Sequence, residues 1–376
     1  MAEARSEAPP VGAAWREGVQ RVQQSAMPLG TVVVSCSAPF GVGGLGRHEQ
    51  EIVAALERRG QSPVRIDESN SEADPSAVRR LYMRGFDTAS KPLARLSPGW
   101  RLWRASVAFD ADAARRMGPA DHLIAFNGTA LAQFRRAQDD GYSSLSLVSA
   151  TAHVHRLVAR QAQGRRQYPL ERSWGSRMAR RNLLEYARAD RIYVSSDYVR
   201  ESFLQEGVAE ERLTRFPLTP DPRYSPGEPP AGSESFDVVY VGGLTVDKGV
   251  PLLVDAVRRL PFADLRLILV GGWKTRGMRR FLERARAADP RIVVGAGDPL
   301  PHLRAARLYA HAAYCDGFAY SAAEALACGL PVLASEDTGM KELIEPGRTG
   351  LILPTGDLDA LTEAISSSYR GEVFGG

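Results

Sequence analysis

The chain has 376 residues, 44% of them apolar, enough for two domains of about 150 to 200 residues each rather than one. Its net charge of +4 is carried by 44 arginines and four lysines spread among 44 acids, so no basic block forms and no nucleic-acid partner is expected. Three cysteines (Cys36, Cys315, Cys328) without C-x-x-C spacing exclude a disulfide framework, and no apolar run approaches the roughly 18 residues of a membrane span.

Residues 1–27 read as a flexible tail. Its first ten residues are polar and acidic, unlike a signal peptide, and 12–26 offer a weak amphipathic pattern through Trp15, Val19 and Val22. A cytoplasmic location follows, and the arginine bias of a GC-rich genome points to a bacterial source. The mildly basic surface leaves open a peripheral contact with the inner membrane face. A strand is expected at 31–34, then a glycine loop, a helix over 47–58 that stops at Gly60, and a strand at 64–66. The arginine-rich stretch 70–118 has no clear period. Strands follow at 123–126, 145–148 and 191–194, with helical periodicity over 174–188. The run 219–235, rich in Pro, Gly, Ser and Glu, reads as a linker. The pattern then restarts, with strands at 237–241, 265–270, 292–294 and 332–334 and a helix near 358–365. Short strands alternating with helices predict two α/β domains with parallel sheets, 28–218 and 236–376.

Four stretches carry chemistry. Gly41-Val42-Gly43-Gly44-Leu45-Gly46 fits G-x-G-x-x-G, and Asp67 follows the second strand, as in a dinucleotide site. However, residues 35–40 separate the first strand from Gly41, a looser exit than a dehydrogenase turn. Tyr240-Val241-Gly242-Gly243-Leu244-Thr245-Val246-Asp247-Lys248-Gly249 opens the second domain at a strand end, where backbone amides and a lysine can neutralise a diphosphate. Asp316-Gly317-Phe318-Ala319-Tyr320-Ser321-Ala322-Ala323-Glu324 places an acid in a glycine-bearing loop and another at the start of a short helix, an arrangement suited to a polyhydroxyl ligand. His153, with His155 as a competing candidate, follows the strand at 145–148. Asp110-Ala111-Asp112 has the Asp-x-Asp spacing but lies in the stretch without a clear period, and no metal is called for.

The run from Asp316 through Ala325-Leu326-Ala327-Cys328-Gly329-Leu330-Pro331-Val332 resembles the donor-site signature of the retaining glycosyltransferase family 4. Gly43-Gly44 with Gly46-Arg47-His48, the Tyr240–Gly249 run and Glu185-Tyr186-Ala187-Arg188-Ala189-Asp190-Arg191 continue the likeness, over roughly residues 30 to 365. The resemblance implies a GT-B fold, two Rossmann-like domains facing across a cleft, the first for the acceptor and the second for the donor. It implies transfer of a hexose from a nucleotide-diphosphate sugar to an acceptor hydroxyl of a glycan, lipid or small molecule, with retention and without a cofactor. Asp316 and His153 then take catalytic positions. Gly242, Gly243, Lys248, Gly317, Phe318 and Glu324 hold the donor, and Gly43 and Gly44 form an interdomain loop. Three departures stand out. Gly243 occupies a common arginine position. Only six residues separate Tyr309 from Asp316, which reads as a missing strand. The sequence also stops at Gly376, before the family's crossover helices. The last two predict impaired turnover. An NAD(P)-linked oxidoreductase and a non-catalytic sugar-nucleotide-binding protein remain the alternatives.

Overall fold

A computed structural model describes residues 11–67, 98–171, 176–227 and 235–374. Much of the arginine-rich stretch and most of the second half of the expected linker, like residues 1–10, lie outside the described residues. The described residues fall into two units. Val19–Val158 and Arg172–Leu218 form one; Met1–Gly18, Ala159–Glu171 and Thr219–Gly376 form the other. The expected single breakpoint at 219–235 is therefore incomplete, because 159–171 leaves the first domain's sequence and belongs with the second.

The first unit holds six parallel strands: β1 (Val32–Ser35), β2 (Val64–Ile66), β3 (His122–Phe126), β4 (Ser144–Ser149), β5 (Arg191–Val194) and β6 (Leu213–Arg215), in the order β2-β1-β3-β4-β5-β6. β1 is buried along its whole length, which is why it reads as a continuous apolar run and not as an alternation. The second unit repeats the architecture with β7 (Phe236–Val241), β8 (Leu265–Val270), β9 (Ile292–Gly295), β10 (Leu308–His311), β11 (Val332–Ser335) and β12 (Gly350–Leu353), ordered β12-β11-β10-β7-β8-β9. Val238, Tyr240, Leu253, Leu267, Leu308 and Leu333 belong to its buried core. In each sheet the strand order reverses once, between β1 and β3 and between β7 and β10. Such reversals leave a crevice beyond the carboxyl ends of the strands.

The structure corrects two expectations. The strand thought missing before Asp316 is β10, in the middle of its sheet. Tyr309 pairs with Val332 on one side and Val239 on the other. It escaped notice because it is four residues long and ends in a histidine. The tail is likewise not loose where it is described. A helix spans Ala13–Ala26, with Val19 and Gln23 buried. Gln23 donates to Glu51 and to the Pro217 carbonyl, and the Tyr193 hydroxyl donates to the Ala26 carbonyl. The buried face runs through Val19, Gln23 and Met27, whereas Val22 is 43% exposed. No helix among the described residues is long and apolar enough to cross a membrane.

Glu49, on the helix Gly43–Glu57, is fully buried near Cys36 and Asp67. Burial, and then the Asp67 charge, push its carboxyl up to about 8. The folded chain therefore keeps a proton that the unfolded chain releases above its ordinary value of 4.5. That contribution is complete below pH 4.5 and is lost as pH rises through the folded value. Glu49→Gln should match the parent near pH 4.5 and exceed it near pH 8 by on the order of 3 kcal/mol. Urea unfolding at the two pH values measures the difference, and parallel pH profiles for the two proteins would contradict it.

Candidate functional site

The second unit's switch point gathers most of the residues singled out in the sequence. The loop after β7 begins at Gly242 and ends at Gly249, whose φ of +71° starts the helix Val250–Arg259. A Cβ at Gly249 would lie 1.9 Å from the Ala312 carbonyl oxygen, so only glycine lets this loop lie against the segment after β10. Tyr314 N donates to the Asp247 carbonyl and fastens the two. Lys248 is thereby delivered to Asp316, with Nζ 2.5 Å from Oδ2. The Asp316 backbone is fixed from the other side: its N–H donates to the Asp337 carbonyl, and Gly339 N donates to its own. Burial alone would raise the Asp316 carboxyl. The Lys248 charge and a hydrogen bond from His311 outweigh it and hold the group well below the usual carboxylate range.

Beyond Asp316 the chain passes Gly317 and the buried Phe318, whose ring meets Tyr320 edge-on at 5.3 Å. Ala319 then adopts a left-handed conformation at φ +65°, alone among the described non-glycine residues, and the helix Tyr320–Ala327 begins. Ser321 Oγ donates to the Val241 carbonyl at 2.8 Å and meets the Tyr309 hydroxyl at 2.7 Å, which anchors the helix start to the end of β7. Glu324 was expected to open this helix. It instead sits one turn in, buried, because the helix starts at Tyr320.

Three participants had no clear sequence signal. His311 points from β10 to Asp316, with Nε2 3.0 Å from Oδ2. Glu171 accepts from Val246 N at 2.9 Å and from Thr275 Oγ1 at 3.0 Å, so a carboxylate already occupies one amide of the loop after β7. Arg165 lies 3.7 Å from Asp247, whose carboxyl burial pushes up to about 6. Both Glu171 and Arg165 come from the 159–171 segment, whose membership of this unit no local pattern reveals.

In the first unit, Gly43 and Gly44 begin the helix Gly43–Glu57. His153 is buried against Tyr186 and Phe203, and its backbone N–H donates to Ser202 Oγ at 2.8 Å. Burial lowers its imidazole to about 4, so the ring is neutral at pH 7. His155 pairs with Glu206 at 2.7 Å. The ligand atoms of His153, His155 and Glu206 lie within 4.8 Å of one another, close enough to hold a metal ion. His155 Nδ1 is already engaged by Glu206, and His153 Nδ1 accepts from His155 N. Asp110 caps the helix Leu131–Asp139 through Ala132 N and Gln133 N and pairs with Arg181, so the Asp-x-Asp spacing is structural. Glu185 accepts from Gly128 N and Ala130 N and so holds the loop after β3. Asp67 is fully buried beside Arg65 and is not presented to a ribose, which argues against the dinucleotide reading.

Comparison with known proteins agrees with this picture. Residues 235–370 match the family described as Glycosyl transferases group 1. The chain is 30% identical over 161 residues to a D-inositol 3-phosphate glycosyltransferase of Mycobacteroides abscessus, covering 38% of this chain and 35% of the relative. It is 26% identical to a GDP-mannose-dependent alpha-mannosyltransferase of Mycobacterium tuberculosis, covering 85% and 79%. The matches to the first of the curated relatives span only 35% to 38% of those proteins' lengths. Among solved structures, sucrose-phosphate synthase from Thermosynechococcus elongatus aligns with a TM-score of 0.67 at 19% identity, over 92% of both chains. Anabaena HepE in complex with UDP-glucose aligns with a TM-score of 0.64 at 18% identity, also over 92% of both. The fold is that of the GT-B class, built from two Rossmann-like α/β domains.

The left-handed alanine supplies a test of the site's backbone. Ala319→Gly should stabilise the chain by about 1 kcal/mol, since Cβ disfavours this conformation. Thermal unfolding reads the effect, and a lower melting temperature would show that Ala319 is not strained.

Proposed function

We propose that this chain is a glycosyltransferase that binds a nucleotide-diphosphate sugar at the carboxyl ends of β7 and β10 and transfers a hexose to an acceptor hydroxyl with retention. The observation that carries this reading is the convergence of Lys248, Asp316 and the Gly242-Gly243 loop on one switch point. The matched family, HepE's complex with UDP-glucose and the GDP-mannose dependence of the mannosyltransferase support a nucleotide-sugar donor. The buried Asp67 disfavours the oxidoreductase alternative.

In this reading Lys248 and the amides of Gly242 and Gly243 take the diphosphate and stabilise it as it departs. Glu324 accepts from the ribose hydroxyls. Asp316 accepts from a sugar hydroxyl, with Gly317 and Phe318 shaping the loop beside it. His153 Nδ1 accepts from His155 N, so its proton lies on Nε2, from which the neutral ring donates to a sugar hydroxyl. The acceptor is a hydroxyl-bearing glycan, lipid or small molecule. With β10 in place, the main ground for expecting impaired turnover falls away, and transfer activity is expected.

Lys248→Ala should weaken nucleotide-sugar binding by about 1 to 3 kcal/mol, the scale of a charge-assisted hydrogen bond. Calorimetry with UDP, GDP and ADP sugars measures this, and unchanged affinity in a folded variant would remove Lys248 from the site. Glu324→Gln should lose affinity for a ribose-bearing donor and lose much less for its 2′,3′-dideoxy analogue. Equal losses would place Glu324 elsewhere than at the ribose.

A further inference from the structure

We propose that His311 is a positioning residue of the donor site, holding Asp316 by one carboxylate oxygen so that the other is available to the sugar. The proposal rests on the donor-site reading above and extends it to a residue outside the recognised motifs. Lys248 Nζ and His311 Nε2 converge on the same atom, Asp316 Oδ2. Oδ1 has no protein donor among the described residues, and the Asp316 side chain keeps 15% of its surface exposed. An ionised carboxylate offers only lone pairs, so the His311 proton must lie on Nε2. Nδ1 is then a bare acceptor. It is buried and has no hydrogen-bond partner among the described residues. His311 also lines a cavity of about 10 Å³, room for about one water molecule, which Ser335 and Gly356 border.

The ring is fixed before any ligand arrives. It stacks near Tyr240 and Tyr309, at centroid distances of 6.0 and 6.4 Å and interplanar angles of 19° and 14°. Stability alone gives no reason for a histidine here. A buried ring nitrogen without a partner costs free energy that an apolar side chain of similar size avoids. The gain lies at Nε2. Lys248 is asked to serve both Asp316 and an incoming diphosphate. Once its charge is shared with phosphate, His311 remains the rigid donor that keeps Oδ2 in place. Aspartate, one carbon shorter than glutamate, has less freedom to recover a lost position, and misplacement on the order of 1 Å is costly in a reacting site.

The experiment compares the parent chain with His311→Gln, whose amide N–H can replace Nε2, and His311→Leu, which cannot donate. UDP, GDP and ADP are titrated beside their hexose conjugates by calorimetry, and turnover is followed with the conjugate that binds. His311→Leu should bind the nucleotide diphosphate as the parent does. It should lose about ten-fold in affinity for the nucleotide sugar, the scale of one hydrogen bond, with a matching or larger fall in kcat/KM. His311→Gln should recover most of both, and the melting temperature of His311→Leu should not fall. Equal losses for both ligands, or no recovery with Gln, would overturn the positioning role. A parent chain that binds neither ligand would overturn the donor-site reading, and this proposal with it.

Discussion

The contact on which the geometry of the second unit's switch point depends is the one between Lys248 and Asp316. It joins the loop after β7 to the loop after β10, the two strands where the sheet order reverses. A half-buried ion pair is expensive to desolvate, and removing one partner leaves the other charge poorly compensated. The chain meets that cost with further donors. His311 reaches the same oxygen, and the Asp316 backbone is held on both sides by the 337–339 segment. The carboxylate stays ionised despite its burial.

Close backbone approach makes the pair geometrically feasible. Gly249 lets the two loops touch at a distance that any Cβ would forbid. Ser321 and Tyr309 tie the helix start to the β7 carbonyl end, so the amides at the head of Tyr320–Ala327 and the Gly242 turn share one anchor. Helix N-termini and glycine turns of this kind favour anions. Glu171 bears on the same point, since its carboxylate already rests on Val246 N. The loop thus holds an anion on one flank while Lys248 serves the other. Two carboxylates, Glu171 and Asp316, flank the lysine-bearing loop.

Much of this was legible in the sequence because it is written in local patterns. β8 and β5 appear at their expected bounds, since mostly buried parallel strands read as apolar runs between helices. The glycine loop, Lys248, Asp316 and Glu324 could be singled out because they sit in runs of fixed spacing, and the structure brings Lys248 and Asp316 into contact. Three kinds of feature were not legible. β10 is short, and His311 breaks its apolar run, so this strand was overlooked, as were the short β6 and β12. The 159–171 segment contributes Glu171 and Arg165 through long-range contacts that leave no periodicity. The helix Ala13–Ala26 buries a glutamine, not an apolar residue, at the centre of its inner face, which disguises its amphipathic stripe.

The buried acids of the two units separate by their partners. In the first unit, Asp110 and Glu185 accept backbone N–H groups and meet Arg181, and this spends their hydrogen-bonding capacity on the loops after β3. Burial still pushes Glu185 up to about 7. In the second unit, Asp316 draws its donors from side chains on one oxygen only. A carboxylate saturated by main-chain amides is a fastening. One held at a single oxygen, strongly ionised and partly exposed, retains capacity for a ligand. The Asp-x-Asp spacing of Asp110 and Asp112 and the G-x-G-x-x-G of residues 41–46 both pointed to ligand sites in the first unit. Instead Asp110 is held by backbone amides and Arg181, and Asp67 is fully buried beside Arg65, whereas Asp316 keeps one oxygen without a protein donor among the described residues.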